Sequence, residues 1–118
     1  MCIRDRCILD TNWAPPNQVE NNTTIGVVAT DVALTKSQSQ KLSAAAHDGL
    51  ALSVRPSHTS HDGDTFFCLS TGSSNVSADM DRLIAAASVC VAEAILRSVK
   101  LASGIGNVYS VSDLSRIN

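Results

Sequence analysis

Aromatic side chains and clustered positive charge are both scarce in this chain, and each deficit excludes a class of function. Aromatic residues make up 3% of the 118 residues, so stacking on bases cannot be the main binding device. Nine Lys and Arg residues stand against 11 Asp and Glu residues, and the formal net charge is −2. Because nucleic-acid-binding domains carry a basic patch or stripe, we expect no nucleic-acid partner.

Long apolar segments and cysteine motifs are missing as well. No apolar run reaches the roughly 20 residues that a membrane-spanning helix needs, and the segment "MCIRDRCILD" lacks the apolar stretch of a secretory signal. The four cysteines match no zinc or redox spacing and indicate no disulfide framework. Cys68 and Cys90 fall within apolar patterns, which predicts that both are buried. We therefore expect no membrane partner and a cytoplasmic location, with the periplasm as the alternative.

The first 22 residues differ in character from the rest. "MCIRDR" has no continuity with the residues after it and resembles the adapter-derived prefixes of genes assembled from short sequencing reads, while "APPNQVENN" is typical of a linker. We expect residues 1–22 to be a non-native prefix and a linker, and residues 23–118 to be the folded part. The native protein would then begin further upstream, and this chain would be its C-terminal piece.

Strands and helices alternate in the folded part. "TIGVVAT" (24–30) predicts a strand that is apolar on both faces and therefore central in a sheet, and Gly26 indicates close approach of another group to its backbone. Thr35 and Gln38 form a capping-box pattern that begins a helix, which Pro56 bounds. "TFFCLSTG" (65–72) predicts a second strand.

A long helix is expected from about 78 to 102, with Ser77 as its N-cap, and a short third strand is expected at "NVYSV" (107–111). Together these elements predict an α/β fold. The two helices present more apolar surface than two strands can cover, which also points to missing sequence.

Thr23 is a candidate nucleophile because it lies directly before the first strand. If the chain is cut between Asn22 and Thr23, the new α-amino group, with a pKa of about 7.7–8.0, can act as the general base for the hydroxyl. A structural threonine at a strand start is the commoner case. "NNT" and "NTT" also fit the N-glycosylation pattern, so the residues alone leave the alternatives open.

A second candidate group precedes the second strand. In "HDGDT" (61–65), Asp62 and Asp64 flank Gly63 and can orient an ammonium group or a hydroxyl. An ordinary Asp-Gly turn explains the same residues. A metal site using His58 and His61 is a further alternative, although no metal-binding motif accompanies them.

Together, "NTTIGVVATDVALTKSQ" and "LSAAAHDGLALSVRPSHTSHDGDTFFCLSTG" resemble the C-terminal half of the L-aminopeptidase/D-esterase family. This self-processing group includes the β-aminopeptidases. The resemblance runs from about Asn22 to Leu101 and includes the spacing from Thr23 to "ATD", the segment "AHDGLA" before "RP", and "DGDT" before a strand that ends in "TG".

The resemblance implies roles for four residues. The precursor would cut itself between Asn22 and Thr23, which is the Asn-Thr form of a junction that other members build from Gly-Ser. Thr23 would then be the N-terminal nucleophile. Asp62 and Asp64 match a second catalytic cluster that is Ser-Gly-Glu in some members, so a carboxylate at position 62 replaces a hydroxyl. Asp64 would hold the ammonium of Thr23 or of the substrate.

The resemblance also implies an αββα sandwich like that of the ornithine acetyltransferases, built from an N-terminal α-chain and a C-terminal β-chain. The linker within residues 1–22 would then be the end of the α-chain, and residues 23–118 would be the β-chain. The activity would be that of an aminopeptidase that releases N-terminal residues from short peptides, amides or esters through an acyl-enzyme, with no cofactor or metal. The partners would be the N-terminal α-chain of the same precursor and further copies in a homo-oligomer. Because the oxyanion donors of the family lie in the α-chain, we expect this chain by itself to be inactive.

Two other functions remain as alternatives. One is an acyltransferase of the ornithine acetyltransferase type, which uses the same N-terminal threonine but is less similar at "DGDT". The other is a non-catalytic domain in which the Asn22–Thr23 bond stays intact.

Overall fold

A computed structural model describes residues 9, 10, 12 and 23–114. The described elements are a strand β1 (Ile25–Thr30), a helix α1 (Lys36–Ser53), a strand β2 (Thr65–Ser70), a long helix α2 (Met80–Leu101) and a short helix α3 (Val111–Leu114). The α/β class predicted from the sequence is confirmed for this part of the chain. No helix among the described residues is long and apolar enough to cross a membrane.

The two strands pair in parallel, and α1 makes the crossover between them. Parallel neighbours need such a connection because the chain must return to the same end of the sheet before the second strand begins. Ile25 lies opposite Thr65 and Thr30 lies opposite Ser70. The residues that precede β1 are therefore brought beside those that precede β2.

Helix α1 begins where its local sequence satisfies the free backbone donors. The Thr35 hydroxyl accepts the Gln38 N–H, and the Gln38 side chain accepts the Thr35 N–H at 2.8 Å, which completes the predicted capping box. The apolar face of α1 supplies the centre of the fold. Its buried residues are Leu42, Ala45, Ala46, Gly49 and Leu50.

The core lies between α1, α2 and the inner face of the sheet. Ala46, Leu50, Phe66 and Val91 form one buried cluster. A Cβ at Gly26 would overlap the Phe66 ring, which confirms the predicted close approach to this glycine.

The opposite face of the sheet is apolar and uncovered in the described part of the chain. Ile25 and Val27 on β1 and Phe67 and Leu69 on β2 are each more than half exposed. α1 and α2 therefore cover one of the two apolar faces of β1 and leave the other open. β2 is its only partner strand among the described residues, so the central position expected for β1 is not seen there.

Helix α2 differs in two respects from expectation. It begins at Met80 rather than at 78, because Asp79 rather than Ser77 is the N-cap, whose side chain accepts the Arg82 N–H of the first turn at 3.2 Å. Only Ala87 and Val91 are buried on it. The prediction that Cys90 is buried is wrong, since its side chain lies on the exposed part of the helix, whereas Cys68 is half-buried.

The third strand predicted at 107–111 is wrong. Ile105 and Val108 form an isolated antiparallel bridge around Gly106, whose φ of 60° belongs to a tight turn. The chain then enters α3 because Ser110 and Asp113 cap it reciprocally. The hydrogen bond from the Ser110 hydroxyl is the main cause that lowers the pKa of the Asp113 carboxyl below its ordinary value.

Candidate active site

The candidate site lies at the amino ends of β1 and β2, where the parallel register brings two loops together. The Thr65 N–H donates to the Thr24 carbonyl at 2.8 Å, which extends the pairing one residue before β1. Thr23 therefore lies beside the loop that carries Asp62, Gly63 and Asp64. Two candidate groups 40 residues apart in sequence meet in this way.

Thr23 presents its hydroxyl against a glycine. A Cβ built at Gly63 would lie 2.8 Å from Thr23 Oγ1, closer than such atoms approach in real structures. Glycine at position 63 therefore provides the space that the hydroxyl occupies. Thr23 is exposed, and within residues 23–114 its hydroxyl makes no hydrogen bond.

Asp64 is the buried acid of the site, with only 7% of its side chain exposed. Its Oδ1 accepts the N–H of Thr24 at 3.0 Å. Its Oδ2 lies 3.2 Å from Nδ1 of His58. Each carboxylate oxygen thus has a partner, and one of those partners is the peptide that joins Thr23 to Thr24.

Asp62 is engaged in its own loop. Its Oδ2 accepts the Thr59 N–H at 2.7 Å and the Thr59 hydroxyl at 2.8 Å. The Asp62 N–H in turn donates to the Thr59 carbonyl at 3.0 Å. These bonds fix the turn that leads into Gly63 and Asp64.

His58 reaches the site from an unusual backbone conformation. Its φ is 57°, in the left-handed region that few residues other than glycine adopt. Its ring lies 4.9 Å from that of His47 on α1, and the His47 ring lies 5.0 Å from that of Phe66 in an edge-on arrangement. A line of contacts therefore connects the core to Asp64.

The structure brings some of the predicted site residues together. Thr23 and the Asp62–Asp64 loop are neighbours, whereas Asn22, the other half of the predicted junction, lies outside the described residues. Among the residues that the structure describes, no group of three or more His, Cys, Asp or Glu side chains could hold a metal ion.

The contact of His58 with Asp64 is not predicted by the sequence, which suggests this histidine only as a metal ligand. A separation of six residues predicts no such contact, and the left-handed backbone at His58 is also not predicted by the sequence. Thr59 gives a weak local signal, since a threonine three residues before an aspartate is a common capping pattern.

Comparison with known proteins agrees with the resemblance noted in the sequence. The profile described as peptidase family S58 matches residues 4–110. An uncharacterized aminopeptidase of Mycobacterium leprae is 41% identical, over 74% of this chain and 28% of the relative. Uncharacterized aminopeptidases of Mycobacterium bovis and Mycobacterium tuberculosis are each 38% identical, over 79% of this chain and 31% of the relative. The chain thus spans less than a third of the length of these curated relatives.

Proposed function

This chain belongs to peptidase family S58, and we propose that it carries the nucleophile of an aminopeptidase that cuts itself between Asn22 and Thr23. The mature enzyme would release N-terminal residues from short peptides, amides or esters. The observation that supports this most is the position of the Thr23 hydroxyl, which lies against Gly63 while Asp64 binds the next peptide N–H. The relatives named as aminopeptidases point the same way.

Self-cleavage would proceed as an N-to-O acyl shift. The Thr23 Oγ attacks the carbonyl carbon of Asn22, a C–O bond forms, and the C–N bond between Asn22 and Thr23 breaks. The hydroxyl proton ends on the Thr23 nitrogen. Water then hydrolyses the ester, which leaves a carboxylate on Asn22 and a free amino group and hydroxyl on Thr23.

Substrate hydrolysis would use the two groups that this cut creates. The α-amino group, with a pKa of about 7.7–8.0, takes the hydroxyl proton as Thr23 Oγ attacks the carbonyl carbon of the substrate's N-terminal residue. The proton passes to the leaving amine or alcohol, and an acyl-enzyme remains. Water releases the acyl group and returns the hydroxyl to Thr23.

The two acids of the neighbouring loop would orient the nucleophile and balance the positive charge of an ammonium group. The bond from the Thr24 N–H to Asp64 fixes the peptide plane between Thr23 and Thr24, and with it the direction of the nucleophile. The carboxylate also offers negative charge to an ammonium, whether of Thr23 or of the substrate. Asp62 would shape the loop through Thr59.

The rest of the enzyme would come from chain upstream of Thr23. The exposed outer face of the sheet, which includes Val27 and Phe67, would pack on a second sheet and complete an αββα sandwich. We propose that this second sheet belongs to the N-terminal α-chain of the same precursor, that the α-chain also supplies the oxyanion donors, and that the two-chain unit forms homo-oligomers.

The two adjacent threonines allow a matched test in the full-length product of the gene. Intact mass should show two chains for the wild type, with the smaller one beginning at Thr23. Thr23→Ala should remain a single chain without aminopeptidase activity, because the attacking oxygen is gone. Thr24→Ala should still be cut, because Thr24 contributes the backbone N–H and carbonyl that alanine retains.

Two results would contradict the proposal. One is a wild-type protein that stays uncut, which would favour a non-catalytic domain. The other is a Thr23→Ala protein that is still cut at the same bond.

A further inference from the structure

We propose that His58 is a positioning residue, which holds Asp64 in the orientation that fixes the peptide after Thr23. The role rests on the function proposed above, since it presumes that Thr23 is the nucleophile. It arises from a contact that neither the family match nor the sequence pattern assigns.

The direction of the contact is set by chemistry. An ionised carboxylate only accepts hydrogen bonds, so Nδ1 of His58 must carry the proton that points at Asp64 Oδ2. The other oxygen, Oδ1, accepts the Thr24 N–H. With one donor on each oxygen, rotation of the carboxylate about its last bond would break both contacts. His58 therefore determines where Oδ1 lies.

Because Asp64 is buried, its carboxylate depends on His58 as a hydrogen-bond donor. Only 7% of that side chain is exposed, so bulk water cannot readily replace a lost donor, and a buried acceptor without a partner is costly. His58 itself is 41% exposed. Its outer side faces solvent while Nδ1 faces the acid, so the ring can donate without being part of the core.

The backbone and the core both hold the imidazole in place. The backbone at His58 is left-handed, with a φ of 57°, and such conformations persist where surrounding structure imposes them, often at functional sites. The His47 ring packs on the His58 ring and is itself held edge-on by buried Phe66. Phe66 thus packs on the His47 ring, the His47 ring packs on the His58 ring, and the His58 ring contacts Asp64.

In the full-length enzyme, two substitutions distinguish the effect of the side-chain donor from the effect of the left-handed backbone. His58→Gly accepts the left-handed conformation but removes the donor, whereas His58→Asn tolerates that conformation and keeps a side-chain N–H. We expect His58→Gly to lower the self-cleavage rate and kcat by about 10- to 100-fold, the scale of one hydrogen bond to a charged group. KM should not change, whereas the thermal unfolding midpoint should fall, because the buried Asp64 carboxylate loses a donor. His58→Asn should recover most of the lost kcat.

A third variant keeps the test decisive if the glycine variant does not fold. His58→Asp has the size of the asparagine and tolerates the same backbone, but it cannot donate when ionised and it repels Asp64. It should lose at least as much kcat as His58→Gly is expected to lose. A role in packing alone would make the asparagine and aspartate variants alike.

The outcomes distinguish this proposal from the one on which it rests. If the wild type is processed and active while His58→Gly matches it in kcat, the positioning role is wrong and the Thr23 mechanism stands. Equal losses in His58→Asn and His58→Asp would also overturn it. A wild type that is neither cut nor active would overturn both proposals.

Discussion

At the amino ends of β1 and β2 lie Thr23 and Asp64, and at their carboxyl ends lie Thr30 and Ser70. Both ends carry hydroxyls and acids, with Asp31 directly after β1 as Asp64 is directly before β2. The two ends nevertheless differ in what their side chains contact.

The hydroxyls of the carboxyl end are used by nearby backbone. Thr30 Oγ1 accepts the Val32 N–H at 3.2 Å. Ser70 Oγ donates to the Val32 carbonyl at 2.7 Å and accepts the Leu34 N–H at 3.1 Å. These bonds fix the turn that leads from β1 toward α1, and they leave those oxygens engaged in structure.

The amino end has the opposite arrangement. Within residues 23–114 the exposed Thr23 hydroxyl has no hydrogen-bond partner, while the side chain of the nearby Asp64 is nearly buried, with the Thr24 N–H at one oxygen and the His58 ring at the other. A reactive group needs an available oxygen and fixed surroundings. The candidate site and the structural turn therefore differ in their described contacts rather than in their residue types.

The largest loss of activity should come from replacing Asp64, the acid at the amino end, by its amide. Asp64→Asn removes the charge, and when its amide oxygen accepts the Thr24 N–H its NH2 group faces His58, so the bond from His58 to a carboxylate is lost. We expect kcat/KM on an amino-acid amide to fall by about 100-fold or more, given hydrogen bonds of about 1.5–3 kcal/mol to charged groups.

Asp31→Asn is the matched control for that replacement. The backbone carbonyl of Asp31 accepts the Ser74 N–H, and asparagine keeps that bond, so activity should not change. Similar losses of kcat/KM in the two variants would show that the acid at the amino end has no special role.

A smaller loss of activity is expected from replacing Gly63, the glycine at the amino end, by alanine. Gly63→Ala places a methyl group 2.8 Å from Thr23 Oγ1, which a rotation of the threonine side chain relieves at little cost in stability. That rotation misdirects the hydroxyl, so self-cleavage and kcat should fall by about tenfold or more, since small misplacements of reacting groups are expensive. The unfolding midpoint should hardly move.

Gly72→Ala should show the reverse pattern. Gly72 has a φ of 64°, and an added Cβ would make only an ordinary contact of 3.5 Å with Ala33. The left-handed backbone costs about 1–2 kcal/mol with a side chain present, so the free energy of unfolding should decrease while kcat is retained. Denaturant unfolding and steady-state kinetics on both variants test this crossed pattern, and parallel changes would contradict it.

Features set by local sequence could be predicted, and those set by long-range contacts could not. The Thr35–Gln38 capping box and the β–α–β order are local, so the pattern sufficed to predict them. That Thr23 and Asp64 belong to one site is implied by the resemblance to the L-aminopeptidase/D-esterase family, and the parallel register places the residues before β1 and β2 side by side.

The failures have particular physical causes. "NVYSV" has the composition of a strand, but the turn at Gly106 and the Ser110 cap commit it to a bridge and a helix. Cys90 lies in an apolar pattern on α2, yet it is exposed. The role proposed for His58 depends on its backbone conformation and on the fold around it, and residue spacing predicts neither of them.

The smallest effect on function should come from Ser70, which is the best-bonded hydroxyl of the carboxyl end. Ser70→Ala leaves the Leu34 N–H and the Val32 carbonyl without their partner in a half-buried turn, and should lower the free energy of unfolding by about 1–3 kcal/mol. Ser73→Ala, whose hydroxyl bonds only at the exposed surface, should change that free energy by about 0.5 kcal/mol or less. The kcat of the folded enzyme should be the same in both variants, because neither oxygen reaches Thr23. A kcat loss in Ser70→Ala alone would mean that the carboxyl end of the sheet also positions the nucleophile.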